Sequence, residues 1–185
     1  SLAHKTQPPS SALTSSQNKL GACILALCAV GLTIEGIGGK LEKGTFFFQA
    51  CHMIMYSAFF PAGIVLFRES NQALCQAAFS LGFLVGYILL AAPATGKSKA
   101  AQSTLHALWA YSSLLAFFAF FCGACARLAN LYKLDYALRH AQPGVVALEG
   151  IWVLLIAWVT FIEHMEPKNE TAYCLFALSL LCCTV

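Results

Sequence analysis

Glu35, His52 and His106 are the residues of this 185-residue chain whose types best suit chemistry, with Tyr56 one helical turn beyond His52. Histidine changes charge near neutral pH, and His with Glu can ligate zinc. Such a set could relay protons, hold a metal that activates water, or offer a counter-charge to a ligand. Glu149 and the adjacent pair Glu163 and His164 are weaker candidates. Seventeen residues separate Glu35 from His52, and 54 separate His52 from His106. No metal pair of the H-E-x-x-H kind occurs on one helix face, so a shared site must be assembled from several helices.

The elements that would position them are membrane helices. The chain is 59% hydrophobic and 10% charged. A soluble domain carries about 25% charged residues, so lipid is the solvent that fits. A net charge of +3 with scattered basic residues gives no footprint for nucleic acid. About 20 apolar residues cross a bilayer as a helix. Five segments meet that length: 20–39, 46–67, 73–92, 105–126 and 144–162, with a sixth begun at 171–185. Nothing alternates as barrel strands do, and the pattern predicts an all-α polytopic bundle. Pro61 should kink the second segment, while Gly38–Gly39, Pro93, Pro143 and Pro167 should end helices. Residues 1–19 are polar, rich in Ser, Pro and Gln, and read as a flexible tail without signal-peptide character. The chain reads as a fragment of a longer protein, since it opens without Met and stops inside an apolar run.

Alternating the segments across the membrane sets depths. Glu35 falls four residues before the far end of the first segment, and His52 six residues into the second. His106 opens the fourth on that side, and Glu163 with His164 close the fifth. Glu149 is the exception, five residues in from the opposite, tail-bearing side. An imidazole facing lipid would leave its nitrogens unsatisfied at several kcal/mol. His52 is therefore expected to face the interior, with Glu35 and His106 as partners. The plain alternative is that polar groups near helix ends reach interfacial water or simply pack.

Other patterns carry less. The nine cysteines all lie in apolar runs, which predicts free thiols and no disulfide. ATGKS at 94–98 lacks the earlier glycine of a phosphate loop and follows a membrane segment, not a strand. Cys122 and Cys125 form C-x-x-C in a phenylalanine-rich span, and Gly82 with Gly86 form G-x-x-x-G; internal packing explains both. The sequon at Asn169 abuts the membrane, a poor acceptor position.

Taken in order, GLTIEGIGG with Glu35, QACHMIMYSAFFPAGIV with His52 and Tyr56, LHALWAYSSLLAFF with His106, and VVALEGIWVLLIAWVTF with Gly150 and Trp152 resemble the transmembrane protein 45 family, domain of unknown function 716. The resemblance covers Leu20 to Phe161. It implies a seven-helix eukaryotic endomembrane protein of a family without established activity, with a cytoplasmic tail and helices missing at both ends. Leu81 stands where the family has an acid, and 171–185 lacks a family histidine, so only Glu35, His52 and His106 carry over.

Four functions compete. The first is a multi-pass protein that binds or transports a small ligand, lipid or proton at a polar site near one face. The second is a zinc-dependent intramembrane hydrolase with Glu35 as base. The third is a b-type haem protein ligated by His52 and His106. The fourth is a structural or trafficking protein. The residues name the bilayer as partner and leave cofactor, ligand and oligomeric state undetermined.

Overall fold

The computed structural model describes residues 11–41, 46–68, 71–91 and 100–157. They form α1 (Ser11–Leu41), α2 (Phe46–Ala58), α3 (Phe60–Arg68), α4 (Gln72–Ala91), α5 (Ala100–Leu128) and α6 (Tyr132–Ala157), and no strand occurs among them. Among the described residues three helices are long and apolar enough to cross a membrane: Ser15–Ile37 in α1, Gln72–Ala91 as α4, and His106–Leu128 in α5. The chain is thus all-α with the character of a membrane protein.

Five complete spans and a sixth begun is not the count that results. Segment 46–67 is two shorter helices, because Pro61 offers no N–H to the preceding turn. The chain tightens there, with Phe59 N donating to the Tyr56 carbonyl at 3.2 Å. It restarts as α3 with Gly63 N on the Phe59 carbonyl at 3.1 Å. Pro61 then sits in the first turn of α3, where a missing donor is harmless. Segment 144–162 is not a helix of its own, since α6 begins at Tyr132. Most of the expected loop 127–142 is therefore helical, and Pro143 lies inside α6 rather than at its start. Gly38–Gly39 likewise fails to stop α1, which runs on to Leu41. A glycine weakens a helix by roughly 1 kcal/mol but keeps its N–H. Ser11–Lys19, expected in the flexible tail, belongs to α1. Pro93, Pro167 and segment 171–185 lie outside the described residues.

α2 and α3 continue in one direction along α1 and antiparallel to it, and α4, α5 and α6 then alternate in direction. Where α1 crosses α3, a Cβ on Gly21 would stand 2.6 Å from the Phe67 backbone N and 2.8 Å from the Gly63 carbonyl oxygen. Further along, the Tyr56 ring fills the space beside Gly31. The Phe59 ring occupies the corresponding space at Gly82 and meets Phe83 edge-on, centroids 5.1 Å apart. So Gly82, half of the G-x-x-x-G, serves internal packing. Between α4 and α5, Phe83 and Phe120 stack at 5.6 Å beside Ala116, which is fully buried. Small residues on α5, with Ser112, Ala116 and Ala124 buried at four- and eight-residue spacing, let its neighbours close in. Leu27, Ile34, Ile88, Phe118 and Leu154 point outward, as lipid contact allows.

The α5–α6 connection is tight. Leu131 N reaches back to the Ala126 carbonyl at 2.7 Å and Asn130 N to that of Arg127 at 3.1 Å. This is the Schellman arrangement, with Asn130 in the left-handed region at φ 57°. Alanine there is expected to cost about 1 kcal/mol, whereas glycine should cost nothing. Thermal unfolding of both variants checks the sign.

Candidate functional site

Among the described residues α1 packs only on α2 and α3, and α6 only on α5. The two ends of this row are left facing each other across a cleft whose floor is α2, α4 and α5. Its cavity measures ≈ 930 Å³. Leu20 and Ile24 form one wall and Val146, Gly150 and Val153 the other, with Phe59, Phe79, Phe83 and Phe120 below. Along α6 the lining runs from Arg139 to Val153, about 20 Å of helix.

Polar groups break this apolar lining at few points. Glu149 is 9% exposed. Its Oε2 accepts from Trp109 Nε1 at 2.8 Å, and its Oε1 lies 2.9 Å from Ser112 Oγ. The Ser112 hydroxyl is also 2.9 Å from the Trp109 carbonyl, so one proton serves two acceptors. No cation pairs with Glu149 among the described residues. Tyr56 and Ser113 line the same cavity. Contact pairs set the register. Tyr56 meets Gly31, Gly86 meets Ser113, and Ser112 meets Glu149. One turn below Tyr56 and Gly86, Phe59 packs on Phe83. Tyr56, Gly86, Ser113 and Glu149 therefore form one layer.

One turn towards the far end stand Glu35 and His52. Nδ1 of His52 lies 2.9 Å from Oε1 of Glu35, and an N–H there donates to the carboxylate. The two side chains are 29% and 21% exposed, so the pair sits at the rim of the protein interior. The same helix that carries His52 brings Tyr56 into the cleft. The His106 ring lies 6.3 Å from that of Trp109, one turn from the Glu149 layer.

Glu149 is thus not the outlier that counting from Gly144 implies. With α6 starting twelve residues earlier, it stands mid-helix, one turn in from His106 and on the same half of the bundle as Glu35 and His52. Glu163 and His164 lie outside the described residues. No group of three His, Cys, Asp or Glu side chains able to hold a metal occurs among the described residues, so Glu35 and His52 gain no third ligand there. Cys23, Cys28, Cys122 and Cys125 are free thiols.

Trp109, Ser112, Ser113 and Gln142 join the site unannounced by motif. Trp109 and Ser113 stand four residues apart on α5, a signal that helical spacing alone could have raised. Lower in the cleft, Gln142 Nε2 donates to the Ala119 carbonyl at 3.2 Å. Beside it Gln76 is 6% exposed, and its Oε1 accepts no hydrogen bond. Both amides crowd Gly123, whose missing side chain makes room for them.

No family model, curated protein or solved structure matches the chain.

Proposed function

We propose that this is a multi-pass membrane protein that binds one small amphipathic ligand, such as a lipid, in the cleft between α1 and α6. The cavity carries this reading. It is long, mostly apolar and of ligand size, and the layer of Tyr56, Ser113 and Glu149 converges on it. The apolar walls would take a hydrocarbon body, and the Tyr56, Ser113 and Glu149 layer would orient a polar head. The Glu35–His52 pair stands one turn from Tyr56 on the far side, partly exposed at the rim of the interior. The bilayer is the other partner, and nucleic acid has no basic surface to meet. The ordered stretches from GLTIEGIGG to VVALEGIWV support placing the chain with the transmembrane protein 45 family and, by that likeness, in a eukaryotic endomembrane.

Gly150 supplies the test. It lines the cleft, and a Cβ added there meets nothing within 4 Å. Gly150→Phe therefore sends a ring from open space at Cβ into the cleft, and it replaces a poor helix former. Native mass spectrometry of purified wild type should show a retained amphiphile at one per chain. The Gly150→Phe protein should be at least as stable and should carry none. Equal retention by both proteins would sink the proposal.

A further inference from the structure

We propose that the ligand of the cleft is a cationic amphiphile, an aliphatic amine whose ammonium head seats on Glu149. The inference rests on the cleft as a binding site and names the class of its occupant.

Glu149 is nine-tenths buried, and it lines an apolar cavity. Taking an ionised carboxylate out of water is costly unless a cation or several hydrogen bonds compensate. Three side chains of α5 hydrogen-bond to it, Trp109 through Nε1, Ser112 through Oγ, and Ser113. A carboxylate offers about four acceptor sites, so one is left, and no lysine, arginine or histidine among the described residues takes it up. Arg139, the cation on the same wall, is committed elsewhere: its Nη2 lies 3.3 Å from Asp135 Oδ2. It also stands ten residues away along α6, about 15 Å. The group in the cleft left open to a cation is therefore Glu149.

The walls point the same way. Tyr56, Phe59, Phe83 and Trp109 line the cavity, and aromatic faces attract cations. An ammonium in that layer can donate to Glu149 and to the Ser113 hydroxyl while its chain extends over Phe79 and Phe120 towards Leu20. A carboxylate or phosphate head would meet Glu149 with like charge in a low-dielectric site, which is strongly unfavourable. A neutral alcohol of the same length fills the same space without the charge-assisted bond.

The comparison of these three heads is the experiment. Tritiated decylamine, decanol and decanoic acid are titrated onto the full chain in nanodiscs by scintillation proximity, against empty nanodiscs, at neutral pH. Decylamine should bind on the order of ten-fold or more tighter than decanol, the factor a charge-assisted hydrogen bond contributes. Decanoic acid should be the weakest of the three. Glu149→Gln keeps an acceptor for Trp109 but removes the charge. It should bring decylamine to within about two-fold of decanol, since the remaining difference is then between neutral hydrogen bonds. Should that variant fail to fold, the wild-type ratios decide alone. Equal saturable binding of all three, lost in Gly150→Phe, would overturn the amine assignment and leave the cleft reading standing. Preference for decanoic acid would overturn the amine assignment too. Absence of saturable binding by any of the three would overturn both.

Discussion

Gly21→Ala is expected to cost about 3 kcal/mol or more, at the upper end of what overpacking does. The added methyl would stand 2.6 Å from the Phe67 backbone N, 2.8 Å from the Gly63 carbonyl oxygen and 3.0 Å from the Leu66 carbonyl carbon. All three are main-chain atoms, so no side chain can rotate away. Relief requires α1 and α3 to separate, and that would strip Leu25 and Ile24 from the Gly63 surface they pack on. A loss of this size lowers the melting temperature of a chain this long by roughly 6–12 °C. The control lies on the same helix. A Cβ at Gly36 meets nothing within 4 Å, so Gly36→Ala should hold or raise stability through helix propensity. Equal melting temperatures for the two variants would show that α1 and α3 do not cross as described.

Arg127→Met carries the second large effect. Asp135, in the first turn of α6, has a side chain only 6% exposed. Arg127 grips it with two nitrogens, Nη2 on Oδ2 at 2.7 Å and Nε on Oδ1 at 3.3 Å, and Arg139 adds a longer contact at 3.3 Å. Removing Arg127 leaves the buried carboxylate with a single contact to one half-exposed cation, Arg139. Breaking such a pair costs about 3 kcal/mol. Arg127→Lys cannot restore the two-pronged grip. Taking out both charges, as Arg127→Met with Asp135→Leu, should be less damaging than Arg127→Met alone, because no charge is then left buried. Thermal unfolding of the three proteins gives the cycle. A double variant worse than the single one would mean that Asp135 is not buried against Arg127.

The α6 seam explains what was hard to read in the residues. Asp135, Gln142, Glu149 and Trp152 are buried, and Leu138 and Val145 partly so. Those positions recur every three or four residues straight through Pro143, the pattern of a helix face. Three of the six are polar, so hydrophobicity marks a loop where the packing seam begins. A proline usually ends a soluble helix, but neighbours in a membrane bundle can hold one together. By contrast α4 carries no charged residue and is apolar over most of its length, and its bounds fall within one residue of the segment 73–92. The closeness of Glu35 and His52 was legible because a short joint and matching depths leave little freedom. The Glu149 layer was not, because its depth depended on the start of α6, and its partners Trp109 and Ser112 look like ordinary residues of an apolar helix.

The central claim is that the polar layer and the apolar walls enclose one ligand-sized space. Quenching of Trp109 by an amphiphile with a brominated chain tests it most directly, in nanodiscs that hold the full chain. Of the three tryptophans, Trp109 lines the cleft, Trp152 is fully buried in the α6 seam, and Trp158, outside the described residues, is replaced by Phe in both proteins compared. The wild-type protein should show a saturable component of quenching at one amphiphile per chain, above the slow linear rise that any lipid-facing tryptophan gives. Gly150→Phe should retain the linear rise and lose the saturable component. Purely linear quenching, equal in the two proteins, would mean that lipid has no defined seat between α1 and α6.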